Sequence, residues 1–151
     1  MIIRSRAPLR ISFAGGGTDV PPYPEMMGGA VISTTIDRYA YVSLKPNVER
    51  LFRVRSLDFN LVKIFRSISE INYDGELDLV KATLKYFNED LEDSGFDLIL
   101  YSDSPPGSGL GSSSAVVVAL VGVIGEYVGK ALTRYEIADI AYRIERLETV
   151  S

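Results

Sequence analysis

Cysteine and histidine are both missing from the 151 residues. Without cysteine there are no disulfides, no thiolate nucleophile and no Cys-based zinc site. Without histidine, a Ser-His-Asp triad and imidazole general bases are excluded within the chain. Chemistry is left to carboxylates, hydroxyls, Arg, Lys, backbone amides or a hard metal such as magnesium. Long apolar runs are lacking too. The richest segment, Ala115 to Gly125, is too short to span a bilayer and is soon followed by Glu126. It reads as a buried helix, so no membrane partner is expected. A basic surplus is also absent: 16 Lys and Arg stand against 20 Asp and Glu, a net charge of -4. That balance argues against nucleic acid as a partner. Arg4 and Arg6 sit inside an alternating pattern rather than ahead of an apolar leader core, so no leader is expected. The lack of cysteine is compatible with the cytoplasmic setting expected here.

What is present is ordinary soluble composition, 46% hydrophobic and 24% charged, at a length that fits one domain. Ile2 to Phe13 alternates apolar and polar residues as a strand does, with Pro8 marking an edge or a bulge. It runs into Gly15-Gly16-Gly17-Thr18-Asp19, a loop that can bring backbone close to a ligand. Pro21, Pro22 and Pro24 prolong that irregular stretch. Strand patterns follow at Ala30 to Ile36, Ala40 to Leu44, Leu51 to Ser56, Leu61 to Phe65 and Phe96 to Tyr101. Arg53 and Arg55 share one strand face and read as solvated. Helical spacing covers Glu76 to Leu91, with Leu77, Val80, Leu84, Phe87 and Leu91 on one side. Ser113 to Tyr127 reads as a buried helix. A last helix starts near Arg134, with Thr133 and Glu136 placed as a capping box. The fold class predicted is α+β, a mixed sheet with helices packed on one face. The last pattern is still helical at Arg143 to Glu148, without a Gly or Pro stop, which predicts further chain in the parent protein.

Between the last strand and the buried helix lies Pro105-Pro106-Gly107-Ser108-Gly109-Leu110-Gly111-Ser112-Ser113-Ser114-Ala115. Alternate glycines permit tight turns and leave amides unshielded. The helix start that follows offers unpaired N–H groups and partial positive charge, which suit phosphate. A hydroxyl in the first turn can also reach a magnesium ion on that phosphate. The bland alternative is a glycine turn with a serine cap. Walker A is excluded, because no lysine lies between Lys85 and Lys130. The glycine spacing is wrong for the dinucleotide fingerprint, and the serines lack the G-x-S-x-G of a nucleophile elbow.

The loop resembles the second signature of the GHMP kinases (galactokinase, homoserine kinase, mevalonate kinase and phosphomevalonate kinase), roughly P-x-x-x-G-L-x-S-S-A. The N-terminal string Ala7-Pro8-Leu9-Arg10-Ile11-Ser12-Phe13-Ala14-Gly15-Gly16-Gly17-Thr18-Asp19 resembles the first signature, particularly in the bacterial heptose 7-phosphate kinase branch. That resemblance implies a fold like ribosomal protein S5 domain 2, with residues 1–151 as the N-terminal, ATP-binding domain. It implies ATP and Mg2+ as cofactors, and a sugar or sugar phosphate as acceptor. Pro106, Gly107, Ser108, Gly109, Leu110, Gly111, Ser112, Ser113 and Ser114 would cradle the triphosphate. Ser113, with the register open by one residue to Ser114, and Glu145 would hold the metal. Arg10 would stabilise charge on the transferring phosphoryl group, and Gly16, Gly17, Thr18 and Asp19 would meet the sugar. Galactokinases carry Glu-His where this chain has Gly16-Gly17, which counts against galactose. The family's catalytic aspartate would fall beyond Ser151, so these residues alone are expected to bind nucleotide weakly and transfer little.

Overall fold

The computed structural model describes residues 1–148, so the last three residues of the expected domain lie outside the described residues. Strands dominate the first two thirds and helices the last third. β1 (Ile3–Ala14) and β2 (Ile32–Pro46) form a long antiparallel pair whose register shifts between Pro8 and Arg10. A proline has no N–H for a ladder, and an irregular edge strand tolerates it. β2 is continuous where the sequence suggested two strands. Its polar Asp37 and Arg38 are exposed, and the ladder resumes at Tyr39 opposite Pro8. Polarity alone does not interrupt a strand whose residues are solvated.

β3 (Phe52–Ser56), β4 (Leu61–Phe65) and β5 (Phe96–Ser102) complete a sheet of order β1-β2-β5-β3-β4. β3 runs parallel to β5, and the remaining pairings are antiparallel. A short helix, α1 (Tyr23–Met27), occupies the proline-rich stretch expected to be irregular. Proline at a first helical turn loses no hydrogen bond, which explains its tolerance there. α2 (Asp78–Tyr86) is shorter than the periodicity predicts. Leu77 is left-handed (φ 55) and Asn88–Leu91 tightens into a 3-10 turn. α3 spans Ser112–Tyr127 and α4 spans Arg134–Glu148. The capping box opens α4 as predicted. The Thr133 N–H donates to Glu136 Oε2 at 2.6 Å, and the Glu136 N–H donates to Thr133 Oγ1 at 3.2 Å.

Alternation decides the packing. Ala40, Val42 and Leu44 of β2 and Phe96, Leu98 and Leu100 of β5 are buried beneath the helices. α3 covers them with Val117, Leu120, Val121 and Ile124, all fully buried. Burying each such aliphatic side chain contributes about 1.5–3 kcal/mol. α2 and α4 pack beside α3. The opposite face stays open, with Ile99 and Tyr101 exposed. There Arg53 pairs with Glu49 at 2.8 Å and Asp97 at 3.2 Å. The α+β class holds, with all three long helices on one side of the sheet.

Candidate functional site

Strand directions gather the site. β5 leaves the sheet at Ser102, and β3, parallel to it, ends at the same edge with Ser56 opposite Leu100. β1 lies antiparallel to β2, which is antiparallel to β5, so the carboxyl half of β1 reaches that edge too. Three segments far apart in sequence therefore converge. These are Arg10 on β1, the turn after β3 carrying Asp58 and Phe59, and the loop that follows β5.

The stretch into the loop is tied down. Asp103 Oδ2 accepts the Tyr39 N–H at 2.9 Å, and Asp58 Oδ1 accepts the Ser102 N–H at 3.3 Å. Ser104 and Ser108 share a hydroxyl hydrogen bond at 3.0 Å. Gly107, Gly109 and Gly111 all have positive φ (79, 76 and 72), a conformation that side chains disfavour. Gly111 is the N-cap of α3 and no side chain caps that helix. The serine cap of the plain reading is thereby absent, while its glycine turn is present. Ser112, Ser113 and Ser114 lie in the first turn instead.

A cavity of about 300 Å3 opens against the loop and the α3 N-terminus. Of the nine predicted loop residues, Pro106, Gly107, Gly109, Gly111, Ser112 and Ser113 line it. Leu110 instead receives the Arg10 N–H on its carbonyl at 2.9 Å. The Arg10 guanidinium donates to the Gly109 carbonyl at 3.1 Å. Backbone and side chain of one β1 residue thus clasp the glycine loop. A cation beside the amides of a helix start is an arrangement that suits an anion.

Ser114 points elsewhere. Its hydroxyl donates to Glu145 Oε1 on α4 at 2.8 Å. The hydroxyl brought to Glu145 is that of Ser114, one residue beyond Ser113, which faces the cavity. Helical geometry explains the difference, since neighbouring residues point about a quarter-turn or more apart. Hydroxyl and carboxylate are oxygen donors of the kind magnesium takes. No group of three or more Asp, Glu, His or Cys that could hold a metal occurs among the described residues. By themselves the two side chains would supply only part of a metal's set of oxygen ligands.

The Gly15–Asp19 loop is held by backbone contact. A Cβ on Gly15 would sit 1.8 Å from the Ala30 carbonyl oxygen, so a side chain there is sterically barred. Thr18 Oγ1 donates towards Gly15 O at 2.7 Å and accepts the Ala30 N–H at 3.1 Å. Its hydroxyl shapes the loop, while Asp19 and Gly17 are exposed.

Asp58 carried no sequence signal. It lies in a short turn with no motif, and only the parallel pairing of β3 with β5 brings it to the cavity. Burial raises its carboxyl from its ordinary value, opposed by the Ser102 N–H. A second cavity of about 310 Å3 shares Asp58, Phe59, Ser113 and Val116 with the first and continues along Leu77 and Val80. The cavity at the α3 N-terminus is thus a cradle of a kind that suits an anion, and it adjoins an apolar recess.

The family described as GHMP kinases N terminal domain matches residues 78–150. A solved D-glycero-D-manno-heptose 1-phosphate kinase from Bacteroides thetaiotaomicron superposes with a TM-score of 0.85 at 35% identity, covering 99% of this chain and 49% of that one. The fold is that of a GHMP kinase N-terminal domain. Two curated relatives bear on the same GHMP region. The D-glycero-alpha-D-manno-heptose 7-phosphate kinase of Campylobacter jejuni is 37% identical over 146 residues, 95% of this chain and 43% of the relative. The mevalonate kinase of Pyrococcus horikoshii is 32% identical over 130 residues, 80% of this chain and 39% of the relative. The chain thus spans less than half the length of each relative. Among the described residues, no helix is long and apolar enough to cross a membrane.

Proposed function

We propose that these residues are the ATP-binding domain of a GHMP kinase that phosphorylates a small-molecule hydroxyl. The acceptor we favour is the anomeric hydroxyl of D-glycero-D-manno-heptose 7-phosphate. The observation that carries the nucleotide reading is the clasp of Arg10 on Gly109 and Leu110, beside the cavity at the α3 N-terminus. The loop amides would hold the triphosphate, and the apolar recess past Phe59 would take the base. Arg10 would offset charge developing on the transferring phosphoryl group. Ser114 and Glu145 would hold magnesium, and Ser113 would face the phosphates. Bound magnesium would supply charge neutralisation at the phosphoryl oxygens. Gly16, Gly17 and Asp19 would meet the acceptor, with Thr18 fixing their loop.

Because these residues span less than half of each relative, phosphoryl transfer is proposed for the whole enzyme. The heptose assignment leans on the Campylobacter and Bacteroides relatives. The Pyrococcus mevalonate kinase at 32% identity keeps a second acceptor class open, and an acceptor panel on the whole enzyme separates the two. The nucleotide reading is tested by titrating ATP into the 151-residue chain with and without magnesium. Magnesium should tighten binding, and Glu145→Gln should remove most of that tightening without unfolding the chain. Metal-independent binding, or none, would sink the proposal.

A further inference from the structure

The start of α2 contains a group that neither the sheet nor the glycine loop requires. The Lys81 side chain is only 2% exposed, with Nζ 2.6 Å from Asp74 Oδ1 and 3.6 Å from Asp78 Oδ1. Removing an ammonium from water is costly, and pairing with carboxylates offsets that cost only in good geometry. A hydrophobic residue would fill the same space without that penalty. The ammonium therefore points to something it holds in place.

What it holds is the turn from Asp74 to Leu77. Asp74 Oδ1, besides receiving Lys81, accepts the Glu76 N–H at 2.9 Å. The Asp78 carboxylate accepts the Gly75 N–H at 3.0 Å and the Asp74 N–H at 3.3 Å. Lys63 of β4 reaches Asp74 at 3.7 Å and also pairs with Glu76. The turn needs such fixing, because Gly75 (φ 88) and Leu77 (φ 55) are both left-handed. Leucine avoids that region unless its surroundings compel it. Gly75 and Leu77, together with Leu79 and Val80, line the apolar recess that adjoins the anion cradle.

We propose that Lys81 is a positioning residue for the base of the nucleotide. By clamping the 74–77 turn it keeps the recess wall formed before the base arrives, and it does not touch the ligand. This rests on the nucleotide reading given above. A preformed wall spares the ordering cost that binding otherwise incurs. Loss of the clamp should therefore weaken ligands that have a base and spare those that have only phosphates.

The test titrates ATP and inorganic tripolyphosphate, each with magnesium, into the 151-residue chain and its Lys81→Met and Asp74→Asn variants. Lys81→Met should weaken ATP about tenfold while tripolyphosphate changes less than about twofold. Asp74→Asn, at a half-exposed side chain, should show the same split in milder form and decides the matter if Lys81→Met does not fold. Equal losses for both ligands, or unchanged ATP affinity, would overturn the proposal. A wild-type chain that binds neither ligand overturns the nucleotide reading itself, and the clamp's role with it.

Discussion

Gly111→Ala separates what a glycine does for the backbone from what it does for Arg10. Gly111 is left-handed (φ 72) at the N-cap of α3. Any L-residue there is strained by about 1–2 kcal/mol. For a chain of 151 residues that corresponds to a fall in Tm of roughly 2–8 °C. The second effect is local. The new Cβ would lie 3.3 Å from Arg10 Cζ and 3.4 Å from Arg10 Cγ and Nε. The guanidinium must then yield by a few tenths of an ångström, which strains its 3.1 Å bond to the Gly109 carbonyl. Loss of such a hydrogen bond is worth about 0.5–1.5 kcal/mol, roughly two- to twelvefold in ATP affinity. A double-mutant cycle with Arg10→Ala isolates this effect. Urea unfolding should show the backbone strain of about 1–2 kcal/mol in both backgrounds, and a further loss of up to about 0.5–1.5 kcal/mol only where Arg10 is present to have its bond disturbed. Calorimetric titration should show the affinity loss only when Arg10 is present. An equal affinity loss in the Arg10→Ala background would refute the clasp as the route.

Two further outcomes follow from contacts elsewhere. Thr133→Ala removes the hydroxyl that accepts the Glu136 N–H, and should cost about 1 kcal/mol in chemical unfolding. Asp74 gives a pH signature. Its carboxyl is held at about 2, chiefly by the hydrogen bond from Lys81, against an ordinary 3.8. A lowered carboxyl stabilises the fold above its ordinary range, and this contribution fades as pH falls from about 4 towards 2. Asp74→Asn lacks that dependence, so unfolding curves of the two proteins should converge across this window. A constant gap between them would rule out Asp74 as the titrating group.

Much of this architecture follows from local pattern. Strand patterns placed β1, β3, β4 and β5 within a residue or two, and in β3 and β5 one buried face imposes a two-residue period. The capping box at Thr133 and Glu136 could be read directly, since both of its hydrogen bonds join residues three apart. Continuous helical spacing misled at α2. The left-handed Leu77 delays the helix start and the 3-10 turn ends it, and apolar spacing registers neither.

Residue types alone showed that the loop from Pro105 to Ala115 would bind an anion or turn tightly, and that these 151 residues supply neither imidazole nor thiol. Those conclusions need only residue types and short spacings. Tertiary structure decided the rest of the site. It set Arg10 against a loop about a hundred residues away, and it turned Ser114 rather than Ser113 towards Glu145. It also brought Asp58 and the Lys81-held turn to the same recess. Contacts of that length depend on strand order and helix rotation, which arise only when the whole apolar core closes at once.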